Sequence, residues 1–585
     1  METDKFFVAV STPGHQIKRH SLALFVLIFL LQCVKTSSNL YSAPEDCEWT
    51  LMSGSDVSLT CHLKTIVASG VLATNFSVIQ SEHTTSLTVM CESLFFESTM
   101  APMAMSHLRY LKALHVQDCK LRELPIDAFA GLNDLRNLSI RTMNDDWGEF
   151  SLSLLSNSFS NLHQLENLDL AHNKLERATD DMICHLSSLK VLNLTHNDLS
   201  SAITFANNSS SKLHKHCANS LSELDLSYNS ISIITKKDLQ NFKRLRVLNL
   251  AHNDLFDLDE TMFTNFAKLQ IIDLSNNELI SIPARIFQDS PDIREITPFK
   301  CFFSHNEIDI VAENSFSSLY NLYTLDLSYN RLKHLDVFTL NGLYVLSDLK
   351  LSHNSIYSMH SDAFKNCSSV EDLTLQGNNL SHVPTALKSL QFLKTLNINN
   401  NTISSLNNSS FQDLKQLRHL SISQNQISNL TREVFRQLPS LKTVDLSKNK
   451  IHNLEHGLFD DGEALNTIDL SDNYLADING LFMNLKSLVF LNVSRNKIQW
   501  FDYAVIPTEL DELDLHSNEI ETLSNYYELE DTLQLRALDV SFNFIAEINA
   551  ASFPNHISRL KINNNRISIV NPFTFLAKKN QSNIC

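Results

Sequence analysis

Chain breakers are scarce in this sequence: 10 glycines and 12 prolines in 585 residues. That scarcity argues against flexible linkers, collagen-like stretches and disordered tracts. Basic residues are outnumbered, 47 Lys+Arg against 65 Asp+Glu, and the formal net charge of -18 argues against a nucleic-acid surface. No C-x-x-C pair and no Cys/His set at zinc spacing occurs, so no metal site is expected. Catalysis finds no foothold either. G-x-S-x-G, H-E-x-x-H and a glycine-rich phosphate loop are all absent, and so is any calcium loop. The expectation is a protein with no enzymatic activity, no cofactor, no small-molecule substrate and no nucleic-acid partner.

Long apolar runs are rare as well. One stands out, Leu22 to Leu31 behind Lys18, Arg19 and His20. About ten apolar residues after a basic stretch fit a secretory signal and are too few to span a bilayer. With small residues Ser37 and Ser38 as the cleavage zone, residues 1–38 are read as a signal peptide and the rest as secreted or extracellular.

What fills the sequence instead is one repeated phrase, L-x-x-L-x-L-x-x-N-x-L, as in "LENLDLAHNKL" from Leu165. Anchored on its first residue it recurs from Leu111 to Ile557, about nineteen times, mostly about 24 residues apart. The expected fold is α/β: a curved leucine-rich-repeat solenoid with a parallel sheet on its concave face. In "LRVLNLAHNDL", Leu248 and Leu250 alternate with Asn249 as in a short strand, so the leucines point inward. Asn253 stands where the chain leaves the strand and is expected to bond backbone groups of adjacent coils. Recurrent phenylalanines (Phe129, Phe159, Phe263, Phe287, Phe316, Phe364, Phe411, Phe435, Phe459) should plug the other side as core. Each unit cannot bury its own apolar face, so coils stack and the ends need covers.

The expected domains are a cysteine-containing N-terminal cap at 39–107, repeats at 108–577 and an irregular tail at 578–585 without a C-terminal cap. A Cys47–Cys61 bridge would close a short loop in the cap. Cys119 occupies the asparagine position of its repeat, and it either pairs with Cys91 or stays reduced in place of Asn. Cys184 and Cys217 flank a long polar repeat that a bridge between them would tether. One unit breaks the metre: "IREITPFKCFFSHNEI" scans only if Thr297 to Cys301 are struck out. With Ile293 as its anchor, those five residues form either a functional loop or a stray insertion.

Several phrases that the repeat does not dictate resemble the long Toll receptors of arthropods. They include "APEDCEWTL", "EHTTSLTVMC", "LRNLSIRTMNDDW", "LNGLYVLSDLKLSHN", "DINGLF" and "FDYAVIPTELDELDLHSNEI". The resemblance, to the 18-wheeler/Tollo type, implies an ectodomain that binds proteins in innate immune or developmental signalling. Its expected partner is a cystine-knot cytokine-like ligand or another cell-surface repeat protein, with receptor dimerisation possible. It also implies a C-terminal flank, a transmembrane helix and a TIR domain beyond the sequence in hand, and so a plasma-membrane protein if the chain is a fragment. The alternative is a secreted or cell-surface adhesion or decoy protein with no signalling of its own.

Candidate sites follow from position. Trp147 beside Asp145 and Asp146 lengthens its repeat and offers an aromatic anchor for a partner, or closes a bulge. Histidines precede the ladder asparagine at His172, His196, His252, His305 and His353; they are solvated edge residues or, if stacked, a pH sensor. Outward Asp169, Asp225, Asp273, Asp326, Asp445, Asp469, Asp514 and Asp539 would make an acidic stripe. Glycan acceptor sequons lie at Asn75, Asn137, Asn193, Asn207, Asn208, Asn366, Asn379, Asn400, Asn407, Asn408, Asn429, Asn492 and Asn580. Of these, Asn193 and Asn492 sit on strands of the concave face.

Overall fold

The computed structural model describes residues 46–51, 57–93, 95–142, 151–155, 158–203, 220–264, 266, 268–288, 299–571, 574 and 583–584. Each repeat contributes a short strand, and consecutive strands pair in parallel, with register shifts only at Val57/Ser58 and Phe299/Lys300 among the described residues. Val247–Asn249 is flanked by Glu223–Asp225 and Ile271–Asp273, which puts Leu224, Leu248 and Ile272 in one row. Those three side chains are buried, as are Leu226, Leu250 and Leu274 in the next row inward. Burying a leucine fully is worth roughly 1.5–3 kcal/mol, and the rows repeat that gain coil after coil. On the far side, phenylalanines stack along the axis: Phe263 to Phe287 at 5.4 Å, Phe435 to Phe459 at 5.6 Å and Phe459 to Phe482 at 5.9 Å. The result is a leucine-rich-repeat solenoid. Its helical component among the described residues is two four-residue α-helices, Asp180–Ile183 and Lys236–Leu239, with short 3-10 turns elsewhere.

The asparagine ladder ties coil to coil. Asn253 Nδ2 donates to Leu226 O in the preceding coil at 3.0 Å, and to Leu250 O and Ala251 O in its own. Its Oδ1 accepts from Ile231 N of the preceding coil at 3.0 Å. Asn330 repeats the pattern with Phe303 O, Leu327 O, Ser328 O and Ile308 N. One amide thereby satisfies four backbone groups that the bend off the strand strands away from water, which is why the buried polar residue is tolerated.

The irregular unit is not built as its sequence suggested. Phe299–Phe302 is itself the strand, with Cys301 in register with Ile272 on one side and Leu325 on the other. Cys301 and Phe303 are both fully buried, and Asn306 makes the ladder bonds to Leu274 O, Phe303 O and Leu279 N. The register is counted back from that asparagine: the residues five and three before it must be apolar, and those are Cys301 and Phe303. Phe299 to Cys301 are therefore strand and not loop, while Ile293 and Thr297 lie outside the described residues. Up to Phe287 the coil is regular, with that ring 6.3 Å from Phe316. The surplus length falls within 289–298, outside the described residues.

At the N-terminal end Cys47–Leu51 runs antiparallel to Val57–Leu63, which then pairs in parallel with Thr84–Cys91 and so leads into Ala113–Gln117. Disulfides Cys47–Cys61 and Cys91–Cys119 fasten these rungs. Cys119 is thus oxidised, with its sulfur 3.3 Å from Gln117 O. At the far end Asn583–Ile584 pairs with Arg559–Leu560, so these tail residues add a rung instead of being irregular. Among the described residues no helix is long and apolar enough to cross a membrane.

Candidate binding surface

Strand residues on either side of the buried leucine present their side chains on the sheet face. The aspartates there are half-buried, and each is spent first on its own backbone. Asp225 Oδ1 accepts from Ser227 N at 2.9 Å and from Ser227 Oγ at 2.6 Å; Asp273, Asp445 and Asp539 do the same with Ser275, Ser447 and Ser541. These Asx turns close the strand end, so the recurrent D-x-S is a local structural device before it is a charge. Basic neighbours then neutralise part of the stripe: Arg141 reaches Asp169 at 2.7 Å and Lys561 reaches Asp539 at 3.0 Å. Burial pushes the Asp539 carboxyl up, but the Ser541 hydroxyl and amide and the Lys561 ammonium outweigh it and hold the group below the usual carboxylate range. Asp348 goes the other way, raised by burial and by Asp372 and Asp326 against the pull of Lys350.

At the trailing edge, where the chain leaves the strand, the residue before each ladder asparagine adopts a left-handed backbone, φ +59° at His172, +53° at Tyr228 and +54° at His252. The rings stack. His172, His196, Tyr228 and His252 form one column with centroids 4.3, 4.2 and 4.0 Å apart. His305, Tyr329 and His353 form a second at 4.1 and 4.3 Å. Tyrosines separate most of the imidazoles, leaving one His–His contact among these five histidines. Gly377 holds the next place and carries no ring, so the second column ends at His353.

Comparison with known proteins fits this geometry. The family model described as Leucine rich repeat matches residues 152–199, 203–255, 244–297, 320–380, 391–451 and 439–498, together more than half of the chain. The chain belongs to the leucine-rich-repeat family. It is similar to Toll-like receptor 7 of Drosophila melanogaster, 37% identical over 615 aligned residues that cover 92% of this chain. The alignment spans 42% of that receptor's length. Nephrocan of Mus musculus is 36% identical over 91 residues, 16% of this chain and 17% of its own. Among solved structures, the Toll–Spatzle complex from Drosophila superposes with a TM-score of 0.52 at 17% identity, covering 87% of this chain and 91% of that one. At that identity the likeness speaks to the fold.

Within this leucine-rich-repeat solenoid the sequence-derived candidates fall out unevenly. Asp145, Asp146 and Trp147 lie outside the described residues, as do Asn207, Asn208 and Asn580. Cys184 is disulfide-bonded, while Cys217 is outside the described residues. Asn193 and Asn492 do lie on strands, each half-buried, with Oδ1 accepting from the amide two residues on. Asn492 Nδ2 also donates to Asp469 Oδ2 at 3.2 Å. Asn75, Asn379, Asn400, Asn407, Asn408 and Asn429 are exposed, whereas Asn137 and Asn366 are half-buried.

Two groupings that the repeat pattern hid deserve chemical appraisal. Asp514, His516 and Asp539 are close enough to share a cation, but His516 Nδ1 lies 2.7 Å from Asp514 Oδ1 and Lys561 already bonds Asp539. His115, Ser139 and Asp169 share the sheet face near the cap. There the Ser139 hydroxyl donates to Asp169 at 3.0 Å, and burial lowers the His115 pKa against the pull of Asp169. Asp169 is also paired with Arg141 at 2.7 Å, which weakens the carboxylate as a base towards that hydroxyl. The cap itself carries an open cavity of about 830 Å³ lined in part by Leu72, Phe76, Val78, Ile79 and Phe96. Val71, Leu72 and Phe95 stand well exposed beside it.

Proposed function

We propose that this chain is the ligand-binding ectodomain of a Toll-type receptor, recognising a protein ligand for innate immune or developmental signalling. The observation that carries the reading is 37% identity to a Toll-like receptor sustained over 92% of the chain. Nephrocan, by contrast, matches over 16% of it. The fold it shares with Toll in the Toll–Spatzle complex supplies a solved case of such a solenoid with a protein partner. In this reading the ligand is of the cystine-knot cytokine kind or another cell-surface repeat protein. The chain then forms the outer part of a long-Toll receptor that continues into a membrane helix and a TIR domain, and binding brings two receptors together.

The test joins the chain to a transmembrane helix and a TIR domain in cells carrying an immune reporter. Purified cystine-knot ligands and repeat-protein ectodomains are added one at a time, with binding measured in parallel on the secreted chain. Ligand-dependent reporter output with matching saturable binding is the expected result. Saturable binding of a repeat protein with a silent reporter, across every ligand, overturns signalling and favours adhesion.

A further inference from the structure

The leading edge of the sheet, just before each strand, is basic over three consecutive coils. Lys394, Arg418 and Lys442 hold the same place in successive repeats, and their backbones are joined directly: Arg418 N donates to Lys394 O and Lys442 N to Arg418 O, both at 2.8 Å. Parallel strands lie about 4.8 Å apart, so the three cations are strung along about 10 Å of the solenoid axis. Lys415 stands exposed three residues before Arg418. Lys394 pairs with Glu371 at 2.7 Å, whereas no ion pair among the described residues reaches Lys415, Arg418 or Lys442. Across 390–397, 414–421 and 438–445 the sole acidic residue is Asp445, with Asp413 at the border, two residues before Lys415. The Asp445 oxygens already accept from Ser447 N, Ser447 Oγ and Ser421 Oγ. In a chain of formal net charge -18 this is a local reversal of sign.

Two further observations say what kind of partner it fits. One large hydrophobic side chain, Phe392, is exposed at the first coil of the strip, and no other follows before Tyr474. Protein–protein hot spots are built on clustered aromatic and apolar anchors, which the Arg418 and Lys442 coils lack. The groups beside the cations are Thr395, Gln416, His419 and Thr443, with His419 Nδ1 2.7 Å from Thr443 Oγ1. Hydroxyls, an amide and an imidazole suit a hydroxyl-rich ligand. No N-x-S/T sequon falls within those three segments; Asn379 and Asn400 lie just past the strands on the trailing side, and Asn407, Asn408 and Asn429 lie in the connections between coils.

We propose that the leading edge at Lys394, Lys415, Arg418 and Lys442 binds a linear sulfated polysaccharide of the glycosaminoglycan class. Regularly spaced cations match a polymer whose charge repeats along an extended chain, and the Arg418 guanidinium can grip a sulfate through two parallel hydrogen bonds. Such contacts are solvent-exposed, so binding weakens as salt is raised.

The experiment uses the full secreted chain on immobilised heparin, with dissociation constants measured in rising NaCl. The double variant R418E/K442E is compared with K448E/K450E, which makes the same change of charge on the trailing edge of the same solenoid region, where both lysines are exposed. Wild-type retention with about tenfold weaker binding for R418E/K442E, and little change for K448E/K450E, is the expected result. Equal losses in the two double variants, or none in either, overturn the proposal. So does competition by polyglutamate or fully desulfated heparin as effective as heparin itself, which would hand the strip to an acidic protein segment. Should R418E/K442E fail to fold by circular dichroism, R418Q/K442Q takes its place with the same reading.

Discussion

Cys301 lies directly across from Ile272 in the sheet, its thiol fully buried in a row of leucines and isoleucines with one valine, Val444. The pairing fixes the register of the one coil whose sequence breaks the metre. It also means that a small apolar thiol does a leucine's work, with no partner sulfur: Cys301 and Cys367 are both free and buried.

Cys301→Val should cost no more than about 1.5 kcal/mol of stability, because volume and polarity stay close. Cys301→Asp should cost about 3 kcal/mol or more by burying an unpaired carboxyl. Urea denaturation of the two variants checks this. Equal stability for both would mean that the strand runs in another register.

Both free thiols should resist a disulfide reagent in the native protein and react on unfolding, since burial raises each above the ordinary thiol range, Cys367 to about 12. The sign for stability follows. The folded thiols resist ionisation, so their contribution is complete below the unfolded value of about 8.5 and is lost as pH climbs from there towards about 12. Thiol titration against pH measures it; rapid labelling of the folded chain at neutral pH would contradict the burial.

Asn253→Ala removes the amide that serves Leu226 O, Leu250 O, Ala251 O and Ile231 N. Leaving several of those groups buried without partners should cost about 2–4 kcal/mol. Hydrogen exchange should quicken first at Ile231 and its neighbours, because each coil touches only those beside it. Uniform protection across that stretch would show that the ladder is dispensable.

Glycan mapping should find Asn379 and Asn429 occupied and Asn492 bare. The first two are exposed, whereas Asn492 needs its Nδ2 for Asp469 and its Oδ1 for Ser494. Sugar on Asn492 would replace one of the two Nδ2 hydrogens and crowd the half-buried bond to Asp469. Occupied Asn492 in folded, secreted material would refute that geometry.

Cys91→Ser should expose the first coils by opening a loop of 28 residues. The loss of about 3 kcal/mol expected for a loop of that order should be read as an early phase in thermal unfolding. Coincident melting of variant and wild type would mean that the bridge adds nothing.

Much of this was readable from spacing. A leucine every second or third position and an asparagine every 24 or so can be satisfied in one way, by stacked coils, so Leu248, Asn253 and Phe263 declared their roles. The family resemblance lay in cap and inter-repeat phrases such as "FDYAVIPTELDELDLHSNEI", part of which turns out to be structural. Asp502 caps the turn at Ala504 N and also accepts from Tyr526 N, while the buried Tyr503 hydroxyl donates to Ser552 O. The D-x-S turns were available in the sequence as a local i to i+2 pattern, and were obscured because the same aspartates read as an acidic stripe.

The sequence by itself determined which side chains face inward, since burial in a repeat follows from periodicity and needs no knowledge of neighbours. It also determined that polar amides must recur at the bend. Tertiary structure alone decided what sits beside what across coils: that His196 stacks on Tyr228, that Cys301 fills a leucine's place, that Arg418 lines up between Lys394 and Lys442. The physical reason is register. A shift of a few residues in one irregular coil leaves its composition unchanged and alters every contact it makes, and that shift is set by backbone pairing between coils.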